Sequence, residues 1–293
     1  MKIAKCLKNH VDIGYCIVKE EKVYPIDKIL GIHLESFQEL VENWDDISRE
    51  IHRKLTEAKG IEMKDVEFIA PIKRPVRNLI CVGKNYLDHA RELEGKTANL
   101  TGIPSEPIYF SKLVGEILGD GKPLVVDSSV TTQVDYEVEL GLIIKRECKD
   151  VKAADAADVV FGYAVFNDYS ARDLQTRHIQ WHRGKSLDGF TAMGSFIITA
   201  DEIDFPPSLK IKSYVNEELR QEGVTDNLIF SLPTLLEDFS KGLTLLPGDI
   251  MITGTPSGVG MGFNPPRYLK DNDVVKCEIE RLGTLCNRVV MKK

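Results

Sequence analysis

The pattern of the chain predicts an α+β fold: a mixed β-sheet rolled into one large unit, preceded by a small N-terminal α+β unit. Three observations point there. Apolar and alternating segments of strand type crowd the chain beyond residue 70. They do not alternate regularly with helical patterns, which argues against a doubly wound parallel sheet. One long amphipathic helical pattern lies before residue 70, apart from the strand-rich remainder.

Taken in order, residues 1–30 read as short strands with turns. The stretch LESFQELVENWDDISREIHRKL then sets Leu34, Phe37, Leu40, Val41, Trp44, Ile47, Ile51 and Leu55 at gaps of three and four, the stripe of a helix packed on one face. PIKRP follows, and Pro71 and Pro75 favour an extended connector. A boundary near residue 70 is therefore expected, with a small domain over 1–70 and a larger one over 71–293. In the larger unit strands are expected at 77–83, 106–112, 136–145, 159–168, 195–200, 209–219, 249–255 and 273–283. Helices are expected at about 86–94, 152–158, 170–180 and 232–241.

With 43% hydrophobic and 28% charged residues, the 293-residue chain has the balance of a globular protein that buries a core. No apolar run approaches the roughly 20 residues needed to span a bilayer, and MKIAKCLKNH lacks an apolar signal core. The expected location is the cytoplasm. The net charge of −7, with no basic stretch to offset it, argues against nucleic acid or an anionic membrane as partner. Six scattered cysteines without CxxC spacing read as buried thiols rather than zinc ligands or disulfides.

The chemistry concentrates in VDYEVELG (134–141). Read as a strand, Tyr136, Val138 and Leu140 share one face, and Asp135, Glu137 and Glu139 the other. Two glutamates spaced by two residues stand roughly 7 Å apart. Buried together as anions they repel and lose hydration, so the face is solvated, one carboxyl is protonated, or a cation lies between them. A second segment, VVFGYAVFNDYSARDLQ, is an apolar strand ending at Asn167-Asp168, with Ser170 and Asp173 in capping-box spacing for the helix that follows. Asp168, at the end of a buried strand, either caps that turn or joins Glu137 and Glu139 in an all-oxygen set suited to Mg²⁺ or Mn²⁺.

ICVGKNYLDHARE, DYEVELG, NDYSARDLQ, GKSLD and GDIMITGTPSGVG occur in the order and spacing of the fumarylacetoacetate hydrolase family, which the chain resembles over about 70–290. The resemblance implies a mixed β-roll catalytic domain of that family's C-terminal type, a homodimer, and one Mg²⁺ or Mn²⁺ per subunit on Glu137, Glu139 and Asp168. It also implies that His89 and Glu92, an ordinary i,i+3 pair on other grounds, form a water-activating dyad on a mobile lid. Gly83, Gly95 and the polar EGKTANLTG suit a segment that moves, and Asn85 and Asp88 offer an N-cap and capping box for the helix. Lys185 in GKSLD would stand beside the metal, while Arg172 and Gln175 would contact substrate or metal-bound water.

TGTPSGVGMG lacks the GK[ST] ending of a phosphate loop. It is either a tight turn or an exposed-amide nest that, with the Thr255 hydroxyl, would receive a substrate carboxylate. His178 and His182 in HIQWH have the i,i+4 spacing of a zinc pair but lack the glutamate of H-E-x-x-H, and read as polar helix-surface residues near the pocket mouth.

The expected substrate is a small 2-oxo acid, cleaved at a C–C bond as an acylpyruvate hydrolase would cleave it, with the cation stabilising the enolate that forms. An oxaloacetate-type decarboxylase, or an isomerase or decarboxylase of aromatic catabolism, would use the same groups; a non-catalytic binding protein is the remaining alternative. Where relatives often carry a Cys-Pro-Leu-Gly-Pro-like stretch, this chain reads GFTAMGS (189–195), so pocket shape beyond the metal does not follow from the resemblance.

Overall fold

A computed structural model describes residues 1–95 and 102–293. Its main feature is a large mixed sheet. From one edge the strands run Ile61–Glu62, Lys22–Pro25, Val11–Lys19, Lys2–Lys8, Ile197–Thr199, Val160–Asp168, Val138–Ile144, Ile250–Ile252, Leu79–Gly83 and Ile108–Lys112. Most neighbours are antiparallel, but Ile250–Ile252 lies parallel to Leu79–Gly83. A second sheet joins Glu218–Val224, Lys210–Val215, Val274–Ile279, Gly283–Lys292 and Leu124–Asp127.

The two-residue period of the central strand sorts its side chains as expected. Val138, Leu140, Leu142 and Ile144 share a core with Ile211, Val275, Cys277 and Leu285 of the second sheet. Ile143 faces the other way, in a core with Phe161, Phe37, Trp44 and Ile47. The central strand is buried along its whole length, so any charge on it needs a partner.

The boundary expected near residue 70 falls inside one continuous structure. Lys2 and Ile3 pair with Ile198 and Ile197, and Ile3, Ile17 and Ile51 share a core with Leu79, Cys81 and Ile250. Residues 1–70 therefore extend the main sheet and cover one of its faces, which removes an open edge from solvent. The linker signal of Pro71 and Pro75 marks a bend in the chain, not a division of the core.

Local corrections follow from packing. The stripe over 34–55 forms two helices, Phe37–Glu42 and Trp44–Lys54, meeting at Asn43. The strand expected at 209–219 is a hairpin that turns at Asn216 and Glu217, both at positive φ. The helix expected at 86–94 is Leu87–Glu92, with Tyr86 rather than Asn85 at its N-cap position. Asn85 instead donates to the carbonyls of Phe230 and Thr253 and accepts from the Phe230 amide. The helix expected at 170–180 is Arg172–Arg177; Ser170 belongs to a short ribbon paired with Asp135, and no capping box forms. No helix among the described residues is long and apolar enough to cross a membrane.

Candidate metal and substrate site

Two adjacent strands deliver the acidic groups. Val138 pairs with Asn167 and Glu139 with Phe166, so Glu139 and Asp168 emerge on one face, diagonal to each other across the two strands. The Glu137 amide donates to Asn167 Oδ1 at 3.0 Å, and the Asp168 amide to the Glu137 carbonyl at 2.8 Å. Glu137, Glu139 and Asp168 are all buried, and each offers an oxygen within 4.8 Å of the others. Among the described residues this cluster has the donor set of a hard divalent cation.

Cationic side chains from three other segments frame the cluster. Lys185 Nζ donates to Glu137 Oε2 and to Asp168 Oδ2, at 2.7 Å each. Lys112, fully buried, donates to Asp168 Oδ1, to the Phe190 carbonyl at 2.6 Å and to the Tyr169 carbonyl at 3.2 Å. Arg172 bridges Asp135, at 2.9 Å through Nε, and Glu137, at 2.7 Å through Nη2. Its Nη1 donates to Gln175 Oε1.

The charges are unevenly balanced. Burial pushes the Glu137 carboxyl up, but Lys185 and Arg172 outweigh burial and hold it below the ordinary carboxylate range. Glu139 lies on the other side of that balance. Burial, and then Asp168 and Glu137 beside it, push its carboxyl well above the ordinary range. Its Oε2 accepts the Gly254 amide at 2.8 Å. A divalent cation among the three carboxylates would relieve that repulsion, and the residues present fit one.

The sequence-derived candidates converge. His89, Glu137, Glu139, Arg172, Gln175, Lys185 and Thr255 line one pocket, with Val82, Lys84, Leu93, Phe110 and Trp181 completing its walls. His89 Nδ1 lies 3.1 Å from Glu92 Oε2, and the other oxygen of Glu92 accepts the Gly258 amide at 2.9 Å. The helix bearing the pair is thereby tied to the glycine-rich loop. Of the stretch EGKTANLTG, residues 96–101 lie outside the described residues.

In TGTPSGVGMG, read as either a tight turn or an amide nest, four amides are taken by the protein's own carboxylates. Gly254 donates to Glu139, Gly258 to Glu92, and Gly260 and Met261 to Asp135. The Thr255 hydroxyl donates to the Val138 carbonyl and accepts from Gln221 Nε2. The loop therefore braces the carboxylate-bearing segments. His178 follows the helix Arg172–Arg177, whereas His182 opens the next helix, His182–Lys185, and contacts the Ser111 carbonyl at 2.9 Å; the i,i+4 pair does not exist on one helix.

Three groups escaped the sequence reading. Lys112 is the last residue of the expected strand EPIYFSK, two residues beyond Phe110, a position at which a lysine is ordinarily solvated. Asp135 shares the parity of Glu137, but the strand breaks between Asp135 and Val138, turning its carboxylate to Arg172 and the loop amides. Trp181 carried no signal beyond being aromatic.

Comparison with known proteins agrees with this geometry. Residues 78–290 match the family model for the fumarylacetoacetate (FAA) hydrolase C-terminal domain. The chain is 45% identical over 227 residues to the oxaloacetate tautomerase YisK of Bacillus subtilis (strain 168), covering 78% of this chain and 74% of that protein. It is 41% identical over 228 residues to the human mitochondrial oxaloacetate tautomerase FAHD2A, covering 77% and 70%. The crystal structure of maleylpyruvate hydrolase from Sphingobium sp. SYK-6, in complex with manganese(II) and pyruvate, superposes with a TM-score of 0.81 at 27% identity over the full length of both chains.

Proposed function

Since this chain belongs to the fumarylacetoacetate hydrolase family, we propose that it is a Mg²⁺- or Mn²⁺-dependent enzyme that enolises a small 2-oxo acid, with oxaloacetate as first candidate. The observation that carries this reading is the buried cluster of Glu137, Glu139 and Asp168, with an oxygen of each within 4.8 Å of the others, of which Glu137 and Glu139 line a pocket that also holds His89 and Lys185. Oxaloacetate is favoured because the two curated relatives above are oxaloacetate tautomerases. Manganese and pyruvate in the maleylpyruvate hydrolase structure support the cation and the 2-oxo acid class.

Bound at the three carboxylates, the cation would supply Lewis-acid polarisation of the 2-oxo group. The remaining work falls to side chains of the chain itself. Lys185 has its ammonium fixed by two carboxylates at 2.7 Å and keeps a third proton for an oxygen that gains charge. Arg172 pins Glu137 and Gln175 in place. His89, in the tautomer that donates from Nδ1 to Glu92, has Nε2 as its basic atom. In tautomerisation that nitrogen would accept the C3 proton of the keto acid and return it, directly or by exchange with water, to the C2 oxygen, so that the enol forms and His89 ends neutral.

A second reading, hydrolysis of an acylpyruvate, is favoured by the same dyad. A buried histidine oriented by a partly exposed glutamate is suited to deprotonate water for attack on the distal carbonyl. Decarboxylation of oxaloacetate would need the electrostatic groups but not that water. We also propose that the enzyme works as a homodimer, which light scattering of the purified protein tests.

The deciding experiment supplies Mn²⁺ or Mg²⁺ and follows three signals: the ultraviolet decay of enol-oxaloacetate, acid release from acetopyruvate and maleylpyruvate, and CO₂ from oxaloacetate. Faster enol decay supports the first reading and acid release the second. If no 2-oxo acid in the panel turns over with either cation, the proposal fails.

A further inference from the structure

One wall of the pocket is unrelated to the carboxylates. Phe110 and Trp181 meet there edge to face, ring centroids 5.3 Å apart. The Lys185 ammonium lies 5.4 Å from the Phe110 ring centre, so the wall begins next to the group that would hold the 2-oxo acid. Two other apolar lining residues, Val82 and Leu93, are buried beneath the pocket surface, whereas Trp181 is partly exposed. The residues before it, including Ile179 at 80% exposure, are open to solvent.

The indole is nevertheless held in one place. Its six-membered ring lies close against Gly83, where a Cβ atom would come within 2.3 Å of Cζ3 and 2.9 Å of Cη2. The next residue, His182, is fixed to the Ser111 carbonyl, and the Trp181 carbonyl accepts the Lys185 amide at 3.1 Å. A glycine at position 83 leaves room for the ring, which lines the pocket between the end of Leu79–Gly83 and the helix that carries Lys185.

We infer that Trp181, seated on Gly83, is the specificity-determining residue that limits the substrate to short 2-oxo acids by closing the pocket beyond the enolisable carbon. The inference rests on the 2-oxo acid reading above and narrows its substrate class. A tail longer than the pocket must displace the indole. Once the indole is gone, each methylene that becomes buried is worth about fourfold in affinity.

Calorimetry on the Mn²⁺-loaded protein, with pyruvate as the short probe and 2-oxooctanoate as the long one, tests it. Wild type should prefer pyruvate. Trp181→Ala should move the ratio of the two dissociation constants toward 2-oxooctanoate by about tenfold or more, and Trp181→Phe by less. Gly83→Ala, which keeps the indole but dislodges it, should move the ratio in the same direction and serves if Trp181→Ala fails to fold. A ratio within about threefold of wild type in the folded variants overturns the inference, as does a wild type that already binds both acids equally. Oxaloacetate turnover by wild type is scored separately: a selective protein without turnover sinks the enolisation reading alone, and failure to bind either acid sinks both.

Discussion

Lys185 Nζ stands 2.7 Å from Glu137 Oε2 in a space that neither side chain shares with bulk water. This ion pair separates the two acidic strand residues by function. Glu137 is compensated by Lys185 and Arg172, whereas Glu139 keeps company mainly with other carboxylates. The site is therefore short of positive charge on one side, which is where a divalent cation contributes most.

Mn²⁺ and Mg²⁺ are accordingly expected to raise the melting temperature, and a chelator to reverse the rise. At a free cation concentration of about 100 times Kd the stabilisation is about 2.7 kcal/mol. Glu139→Gln should abolish most of the rise while leaving the protein folded, since the amide keeps an oxygen for the Gly254 amide. Differential scanning calorimetry with and without cation checks this; a melting temperature indifferent to both cations counts against the site.

Lys112→Met should destabilise the cation-free protein by about 3–5 kcal/mol, because Asp168 loses a buried partner and the Phe190 and Tyr169 carbonyls lose a donor. Saturating Mn²⁺ should recover part of the loss. Adding Asp168→Asn should recover part of it without cation, since the carboxylate left with Lys185 as its remaining cationic partner is then gone. Urea unfolding of the two single variants and the double variant measures the coupling.

His89→Ala should lower acylpyruvate hydrolysis by about 100-fold or more, the usual worth of a positioned base. Glu92→Gln should cost less, because an amide oxygen still accepts from Gly258 while the charge opposite His89 is lost. Steady-state rates with acetopyruvate report both. Full hydrolytic activity in His89→Ala would remove the dyad from the mechanism.

Gly184→Ala probes how the helices of the site are spaced. A Cβ at this position would lie 2.5 Å from the Gln175 amide nitrogen and 2.8 Å from the Ala171 carbonyl oxygen, both backbone atoms. The substitution should cost about 1–3 kcal/mol and reduce kcat by moving Lys185 relative to Arg172. Urea unfolding and oxaloacetate turnover measure the two effects; a neutral result would mean that this contact is not tight in solution.

Much of the site was legible from residue types and short spacings. Glu137 and Glu139 share a face because the strand period is two, and Asp168 joins them because an apolar strand ends there. His89 and Glu92 meet because three residues make about one helical turn. The failures were of another kind. Ser170 with Asp173, and Asn85 with Asp88, have capping-box spacing, yet Ser170 is drawn into a ribbon with Asp135 and Asn85 into the loops at Phe230 and Thr253. Tertiary hydrogen bonds overrode local preference at both helix starts.

By itself the sequence determined the strand-rich architecture and the apolar and acidic faces of the central strand, since each depends on neighbours a few residues apart; that Asp168 joins Glu137 and Glu139 depends on the pairing of two strands. Only the tertiary structure decided which cations meet which carboxylates, that residues 1–70 share the main sheet, and that four amides of the glycine-rich loop serve Glu139, Glu92 and Asp135. Lys112 reaches Asp168 across 56 residues, and Lys185 reaches Glu137 across 48. Charge pairing at such separations is set by how buried strands come together, because a buried charge takes the partner that packing brings to it, and no local period records that choice.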